Sequence, residues 1–527
     1  RWISDYNACK LNVGGFAMKY SYIVAGGGSA GCVLAARLSE DAGKSVLLLE
    51  AGPDYPDFDL LPDELKFGYD PIASYQGARH NWSFKGTATN NPVREIPVPR
   101  GKAMGGSSAI NVQAFIRGVP EDYDAWAALG NDEWRYVNLL SDFRSSETDQ
   151  DVKDDFHGTD GPIPVRRHKR ENWNKDQEAF FQACVTAGFP EVFDQNNPDA
   201  TGVGPLPMNN PDGIRVSTAL AYINPVRHRL NLSLRPNVLV RRIVFDGKKA
   251  TGLEVESGGE KFVVEGEEII LSAGAIGSPH LLMLSGVGPA NQLSAHGVPV
   301  RLDLPGVGQN LRDHPLVFTS YRSQEGHSID LDGPRAQICL RYTAEGSLTR
   351  DDLMVLPSSS SPFILEEEPV VRIGCGLELP VGSGELTLDS NDPSVQPRLD
   401  YRYLEESWDR KRMREGVRLA VRLAEHEAYG SVVAERISPT DADLASDDSL
   451  DAWLLANTSS FQHISGTCKM GPASDPLAVV DQFGKVRGLY NLRVADASIF
   501  PDIVRANTNA TTVMIGERVA RFIRDGR

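Results

Sequence analysis

The sequence lacks the features that mark several classes of protein. No apolar run approaches the roughly 20 residues that span a bilayer, and no basic stripe overrides the net charge of −17. That charge repels nucleic-acid phosphates and anionic lipids, so we expect neither as a partner. The six cysteines form no CxxC pair and no metal-site spacing, which predicts reduced packing thiols and no bound metal. Without a secretory signal pattern, a cytoplasmic location is the default expectation.

Length and composition are those of a globular protein with a large core. At 527 residues, 41% hydrophobic and 24% charged, the chain is expected to form two closely joined domains. We find no internal repeat. Residues 1–17 show neither helical nor strand periodicity and precede Met18, so we expect an upstream or artificial tail that is not part of the fold.

A strand, a glycine-rich turn and a helix follow one another near the N-terminus. Residues 22–24 are apolar and lead into AGGGSAG, after which apolar residues recur at helical spacing. Residues 45–49 read SVLLL, which predicts a buried strand that ends at Glu50. Together these segments predict a βαβ unit.

The turn itself has the spacing GxGxxG at Gly26, Gly28 and Gly31. In this setting the first glycine permits the tight turn, the second lets the backbone approach a pyrophosphate, and the third allows close helix packing. A carboxylate at Glu50 suits a ribose 2′-hydroxyl and would repel a 2′-phosphate, so NADP is disfavoured. The motif leaves NAD and FAD open, because both contain the same adenosine diphosphate.

Further strand-like segments lie far along the chain, at residues 238–245, 268–271 and 491–494. They predict a nucleotide-binding domain assembled from discontinuous pieces, with residues of about 315–460 as the candidate insert. Within that insert, the Pro- and Ser-rich residues 357–362 and the acid run 366–368 predict an exposed connector, with a mobile lid as the alternative.

Several longer motifs carry a resemblance to a known family. Residues 101–115 (GKAMGGSSAINVQAF) and 274–288 (GAIGSPHLLMLSGVG) resemble the two signatures of the glucose-methanol-choline (GMC) oxidoreductases. Residues 463–471 (HISGTCKMG) resemble the catalytic-histidine motif of that family, and residues 492–501 and 507–518 resemble its C-terminal block. The similarity runs in order from about Met18 to the C-terminus.

The resemblance implies a mixed α/β fold with two domains. A Rossmann-like FAD-binding domain would be assembled from residues 18–167, 210–314 and 461–527. A substrate-binding domain with an antiparallel sheet would comprise residues 168–209 and 315–460. The implied activity is the FAD-dependent oxidation of a primary alcohol to an aldehyde, with electrons passed to O₂ or to another acceptor.

The resemblance also assigns site residues. His463 would accept the hydroxyl proton while a hydride passes to flavin N5, and Asn507 would donate to the substrate oxygen. A helix capped by Asn509 or Thr511 would follow, its N-terminus favouring the reduced flavin. His314 is expected to be structural. The residues expected to bind FAD are Gly26, Gly28, Ser29, Ala30, Gly31, Glu50, Ala51, Gly105, Asn111, Val112, Val240, Asp496, Ala497 and Thr508.

Three departures from the family pattern refine these expectations. Ile110 stands where members with covalent flavin have a histidine, so we expect noncovalent FAD. Leu316 replaces the glutamate by which bacterial choline-oxidising members hold the ammonium group, and Phe461 and Gln462 favour a neutral aliphatic or aromatic alcohol. The sequence does not distinguish an oxidase from a dehydrogenase. The alternative is a flavoprotein of the same fold without net alcohol oxidation, such as a hydroxynitrile lyase or photodecarboxylase.

Overall fold

The structure is a computed structural model that describes residues 19–327, 333–359 and 370–527. The expected tail at residues 1–17 lies outside this range. The strands are β1 (Lys19–Ala25), β2 (Val46–Leu49), β3 (Phe84–Asn90), β4 (Val93–Val98), β5 (Glu147–Asp149), β6 (Ile163–Val165), β7 (Gly202–Pro205), β8 (Leu232–Arg235), β9 (Leu239–Asp246), β10 (Lys249–Ser257), β11 (Glu260–Leu271), β12 (Val287–Gly288), β13 (Leu302–Asp303), β14 (Pro315–Ser323), β15 (Ile338–Tyr342), β16 (Leu353–Ser358), β17 (Val370–Leu377), β18 (Glu385–Thr387), β19 (Arg398–Asp400), β20 (Val433–Ser438), β21 (Ser459–Ser460) and β22 (Leu492–Val494). The α-helices are α1 (Ser29–Leu38), α2 (Asp63–Lys66), α3 (Pro120–Ala128), α4 (Tyr136–Ser146), α5 (Lys175–Thr186), α6 (Gly274–Leu284), α7 (Ala290–Ala295), α8 (Ser407–Ala424), α9 (Asp441–Leu444), α10 (Asp447–Asn457) and α11 (Thr508–Arg524).

A seven-stranded sheet contains the N-terminal βαβ unit. Its strand order is β8-β2-β1-β11-β10-β9, and β22 pairs with β11. Strands β8, β2, β1, β11 and β22 are parallel, whereas β9 and β10 are antiparallel. A parallel strand covered on both faces needs a continuous apolar run, and every residue of β2 is buried. Segments that are hundreds of residues apart in the sequence therefore meet in one sheet.

Helices α1 and α11 pack closely beside this sheet. Gly516 of α11 lies against α1, so that a Cβ at this position would be 2.7 Å from the Cβ of Val33. The first turns of the two helices also touch, because Ser29 Oγ donates to Asn509 Oδ1 at 2.9 Å. Two helix N-termini, each with a partial positive charge, consequently lie side by side.

The second large sheet is antiparallel. Its order is β20-β14-β17-β16-β15-β7, with β21 paired to β14. The strands fall within residues 168–209 and 315–460, the segments expected to form a substrate-binding domain. The mixed α/β fold with an antiparallel second sheet is confirmed, whereas the boundaries of the two domains stay a prediction.

The exposed connector predicted at residues 357–362 is wrong in its first part. Pro357 and Ser358 close β16, pair with β17 and are buried. The pairing of β16 with β15 ends at Val355, so Pro357 needs no amide hydrogen on that side of the sheet. Sheet burial overrides the local turn signal here. Residues 360–369, which include the acid run, lie outside the described residues.

Cys32, Cys184, Cys339, Cys375 and Cys468 are buried free thiols, in agreement with the prediction from their spacing. Cys9 lies outside the described residues. In the part of the chain that the structure describes, no helix has both the length and the hydrophobicity to cross a membrane.

Candidate active site

A cavity of about 890 Å³ joins the glycine-rich turn to the antiparallel sheet. This volume is at the upper end for small-molecule and cofactor sites. Gly31 and Gly105 are the predicted site residues that do not line it. Those that do are Gly26, Gly28, Ser29, Ala30, Glu50, Ala51, Asn111, Val112, Val240, His463, Asp496, Ala497, Asn507 and Thr508.

Close backbone contacts shape the glycine-rich turn. Gly26 has φ of 105°, a conformation that side chains other than glycine rarely adopt. A Cβ on Gly31 would be 1.9 Å from the carbonyl oxygen of Gly26, so α1 packs directly onto the turn. At Gly28, by contrast, a Cβ would meet no atom nearer than 3.9 Å. The turn therefore exposes its backbone at Gly28. Gly105 lies behind it and donates its amide to Gly27 at 2.7 Å.

Glu50 is buried at the end of β2. Its Oε2 accepts from the Gly27 amide at 2.9 Å, and its Oε1 accepts from the Gly52 amide at 2.8 Å. Burial raises the pKa of Glu50 to about 7, although both amide donors favour the ionised form. A carboxylate has more lone pairs than these two bonds use, so Glu50 can still accept from hydroxyl groups in the cavity.

Asp496 connects β22 to the N-terminus of α6. Its Oδ2 accepts from the Gly274 amide at 2.9 Å and from Ser278 Oγ at 2.6 Å. Its Oδ1 accepts from the Ser498 amide at 2.8 Å, and burial raises its pKa. These bonds hold Ala497 at the cavity wall.

A second glycine turn, which the sequence analysis did not assign to the site, also lines the cavity. It comprises Ser272, Ala273 and Gly274, between β11 and α6. The signal was present, since a predicted strand there runs into SAGA and a helical stretch. With α1 and α11, this places three helix N-termini at one cavity, a favourable setting for anionic groups.

His463 and Asn507 lie in contact at the cavity wall. Asn507 precedes α11 and has an extended backbone, with φ of −53° and ψ of 136°. Its side chain does not cap its own helix but lies with Nδ2 2.9 Å from His463 Nε2. The predicted cap at Asn509 or Thr511 is wrong, because the helix already begins at Thr508. Since an amide Nδ2 only donates, Nε2 of His463 is the accepting nitrogen.

His314 contacts the other nitrogen of this ring. The Nδ1 atoms of His314 and His463 are 2.8 Å apart. With Nε2 accepting, the ring proton of His463 is on Nδ1 and donates to Nδ1 of His314. His314, expected to be structural, does not line the cavity but fixes the tautomer of the residue that does.

Asp313, which was not among the predicted site residues, organises both histidines. Its Oδ1 accepts from the backbone amides of His314 and His463, each at 2.8 Å. Its Oδ2 accepts from Tyr403 Oη at 2.7 Å and from Ser460 Oγ at 2.5 Å. Both carboxylate oxygens thus hold together three segments that are distant in the sequence, at residues 313–314, 403 and 460–463.

The electrostatic environment keeps His463 neutral. Burial lowers the pKa of His463 well below its ordinary value, and the neighbouring His314 and Arg100 lower it further. A neutral imidazole with an accepting Nε2 at a cavity wall can take up a proton from a hydroxyl group.

Phe461 covers one face of the His463 ring. The two rings are stacked with centroids 5.3 Å apart and an angle of 8° between them. Gly376 of β17 leaves room for this arrangement, because a Cβ there would be 2.0 Å from Phe461 Cε2. Gln462, with φ of 68°, accepts from Arg100 Nη2 through its backbone oxygen at 2.6 Å and its Oε1 at 2.8 Å.

A buried charge cluster lies away from this cavity. Glu147, Asp149 and His157 have ligand atoms close enough for a metal ion. Arg117 Nη2 is 2.5 Å from Glu147 Oε1, however, and Arg167 Nη1 is 2.9 Å from Asp149 Oδ1. Both carboxylates are thus in contact with an arginine, so the cluster is part of an ion-pair network.

The fold and the cavity together define a nucleotide-cofactor enzyme, with parallel strands ending in glycine turns and a neutral histidine at the cavity wall. Residues 20–316 match the N-terminal profile of the GMC oxidoreductases, and residues 380–516 match the C-terminal profile. The chain belongs to the GMC oxidoreductase family, whose members bind FAD. The predicted family is thereby confirmed.

Similar proteins span nearly the whole chain. An uncharacterised GMC-type oxidoreductase of Rhodococcus erythropolis is 37% identical over 95% of this chain and 98% of its own length. The oxygen-dependent choline dehydrogenase of Vibrio vulnificus is 36% identical over 96% of this chain and 94% of its own. The crystal structure of pyridoxine 4-oxidase from Mesorbium loti has a TM-score of 0.90 and 29% identity, covering 96% of this chain and 99% of that one.

Proposed function

We propose that this chain is an FAD-dependent oxidoreductase that oxidises a primary alcohol to an aldehyde and passes the electrons to O₂ or to another acceptor. The observation that carries the proposal is the pairing of His463 with Asn507 at the cavity wall, with Nε2 of His463 as an acceptor. Two relatives are named for oxidising choline and pyridoxine, both of which contain alcohol groups.

The residues at the other end of the cavity fit FAD. The open backbone at Gly28 and the N-terminus of α1 suit a pyrophosphate, and Glu50 suits ribose hydroxyls. Asp496 and Ala497, beside the N-termini of α6 and α11, suit the flavin end. When bound, FAD supplies the hydride acceptor for the reaction, flavin N5.

The protein's own part is to position the alcohol and remove its proton. His463 accepts the hydroxyl proton at Nε2, which makes the substrate carbon a better hydride donor. Asn507 Nδ2, which donates to Nε2 in the structure, becomes available to donate to the substrate oxygen. His314 holds the ring through Nδ1 throughout, and the burial of His463 keeps water from competing.

We further propose that FAD is held without a covalent bond. Ile110 lines the cavity at the position where a histidine would form the link, and an alkyl side chain has no nucleophile. Acid precipitation of the yellow protein should release the flavin into the supernatant. Colour that stays with the pellet would contradict noncovalent binding.

The proposed substrate is a neutral aliphatic or aromatic primary alcohol. The antiparallel sheet and the segment before His463 present an apolar wall to the cavity, made of Leu316, Phe318, Met354, Leu356 and Phe461. An alkyl or aryl group would gain from burial there. A quaternary ammonium group would find an alkyl side chain at Leu316 in place of a carboxylate.

The decisive experiment mixes the purified protein with a panel of alcohols without oxygen, follows the flavin absorbance and then admits air. Bleaching by a neutral primary alcohol is the expected result, and His463→Gln serves as the control that should not bleach. Rapid recovery with peroxide identifies an oxidase, and persistent bleaching identifies a dehydrogenase. No bleaching with any alcohol would contradict the proposal and favour a lyase or photoenzyme of the same fold.

A further inference from the structure

A third ionisable side chain lies behind the histidine pair. Strands β14 and β17 pair antiparallel with Leu316 opposite Gly376, so the same register continued by two residues places His314 opposite Glu378. Glu378 Oε2 is 3.8 Å from Nδ1 of His314, the atom that also contacts His463. The three side chains therefore form a continuous row, which we name the Glu378–His314–His463 row, leading away from the cavity.

The carboxyl group of Glu378 has no structural partner among the described residues. It is 1% exposed, and neither oxygen makes a hydrogen bond. Burying an acid in this way is costly, and an apolar residue of similar size would stabilise the fold more. Burial raises the pKa of Glu378 to about 8, so the group is protonated at neutral pH and titrates just above it. Because the buried carboxyl group lies behind His314 and His463, a functional role would explain why an acid is retained at this position.

The other charged groups that face Glu378 have partners of their own. Arg341 lowers its pKa but donates to Gln195, whereas Asp122 and Asp313 raise it. Asp122 is paired with Arg505, and Asp313 accepts from backbone amides and hydroxyls. Among the described residues, His314 is the ionisable group that lies within 4 Å of the Glu378 carboxylate.

We propose that Glu378 is a positioning residue that acts on the catalytic base His463 through His314. The inference rests on the proposed function. When Nε2 of His463 takes the hydroxyl proton, a positive charge appears on a buried histidine pair, shared across the Nδ1–Nδ1 hydrogen bond. An ionised Glu378 on the far side of His314 stabilises that charge, whereas a protonated Glu378 does not. The base is accordingly stronger at a pH where Glu378 is ionised.

The first test is the pH profile of anaerobic flavin reduction, with the alcohol of the panel that bleaches the flavin fastest. The wild-type rate should rise in two steps, one below pH 6.5 from His463 and one near pH 8 from Glu378. Glu378→Gln should keep the lower step and lose the upper one, and be about tenfold slower above the upper step. Glu378→Leu removes the same charge with an apolar side chain, so the prediction can still be tested if Glu378→Gln does not fold. An upper step that persists in both variants would overturn the proposal.

Two further comparisons separate electrostatic coupling from general damage. Glu415→Gln is the matched control, because Glu415 is a partly buried acid with a raised pKa on α8; it should keep both steps. In a His314→Asn background, Glu378→Gln should have no further effect, since the intermediary is missing. An additional loss in that background would mean that Glu378 acts by another route.

An infrared titration of the oxidised holoprotein without alcohol gives a readout that does not depend on activity. A protonated-carboxyl C=O band should disappear as the pH rises through about 8 and be absent in Glu378→Gln. A wild-type band that does not change across this range would contradict the proposal even if no alcohol is oxidised. Failure of the proposed function itself appears separately, as a wild-type flavin that no alcohol bleaches.

Discussion

At the scale of single residues, hydrogen bonds on both sides of one imidazole determine what it can do. Asn507 donates to Nε2 of His463, and Nδ1 of His314 accepts from its other nitrogen. The Asn507 contact fixes the tautomer of His463, the His314 contact is consistent with it, and burial keeps the ring neutral. The consequence is an imidazole at the cavity wall whose Nε2 is the accepting nitrogen, as the proposed role of base requires.

His463→Ala should slow flavin reduction by about two to four decades, the usual range for losing general base catalysis. In the wild type the rate should rise with pH through an inflection below 6.5, because His463 accepts a proton only when neutral and its pKa is lowered. The variant should retain FAD and lack this inflection. Anaerobic stopped-flow over a pH series measures both effects, with His296→Ala as a control remote from the cavity. A near-wild-type rate and profile in His463→Ala would assign the proton to another group.

Glu50→Gln should weaken FAD binding by about one to two decades. The amide NH₂ would face the Gly27 or Gly52 N–H group, and one charge-assisted bond to the ribose would be lost. In the wild type, affinity should fall as the pH drops through about 7, since Glu50 then takes up a proton. The variant should show no such pH dependence. Titration of apoprotein with FAD measures these constants. Equal affinity of Glu50→Gln and the exposed-site control Glu95→Gln would exclude Glu50 from the cofactor site.

At the scale of secondary-structure elements, structure formed by adjacent segments could be predicted from the sequence, whereas contacts between distant segments could not. The βαβ unit was predictable, because its glycines and apolar runs are adjacent in the chain. The contact of His314 with His463 was not, because it depends on β14 pairing with β21 and on the carboxylate of Asp313. Glu378 escaped notice for the same reason, since it faces His314 only once β17 pairs with β14.

Family motifs supplied what local patterns could not. Asn507 carries no signal of its own beyond a turn-forming residue, and only the motif around it assigned it to the site. The start of α11 was still misplaced, because the sequence offers several capping residues in a row and does not reveal which one precedes the helix: Asn507 does, with its side chain bonded to His463. At Pro357 and Ser358 the composition predicted a loop, but both residues belong to β16 and pair with β17.

Gly516→Ala should destabilise the protein, although alanine normally favours a helix over glycine. The added methyl group would be 2.7 Å from the Cβ of Val33 and 3.0 Å from the oxygen of Ala30, so α1 and α11 must move apart. Overpacking of this kind costs about 1–3 kcal/mol. Because both helices begin at the cavity, FAD affinity should fall as well.

Thermal unfolding and FAD titration of the same preparation test this. Gly430→Ala is the matched control, because Gly430 is exposed and a Cβ there would meet nothing within 4 Å. If Gly516→Ala is as stable as the wild type, α1 and α11 can accommodate a methyl group at this position and the prediction is wrong.

At the scale of the whole molecule, the buried ion-pair network joins distant segments. It includes Arg117, Glu147, His157, Arg167 and Asp194, so it connects residues expected in both domains. Three carboxylates, counting Asp149, face two arginines and one histidine. Charge balance thus requires His157 to be protonated, and contact with those acids raises its pKa to about 11.

His157→Gln should therefore lower the free energy of unfolding, by about 3 to 5 kcal/mol near pH 6, since it leaves a buried negative charge uncompensated. A histidine with a raised folded pKa contributes fully below its ordinary value of 6.5 and loses that contribution as the pH rises towards 11. The difference in unfolding free energy between wild type and variant should shrink steadily from pH 6.5 to 9. Denaturant unfolding at several pH values measures it, with the loop variant His296→Gln as control. A difference that is constant with pH would mean that His157 is neutral in the folded protein.

The pairing of β22 with β11 and of α11 with α1 has a consequence for synthesis. The sheet that begins with β1 gains β22 only when residues 492–494 have been translated, and α11 brings Asn507 later still. A growing chain on the ribosome can form the first βαβ unit early, but β22 and α11 can join it only after residues 492–524 have been translated. Capture of the flavin is consequently expected to follow the synthesis of α11, and a chain that stopped before it would have the glycine turn but lack Asn507 and the helix N-terminus beside it.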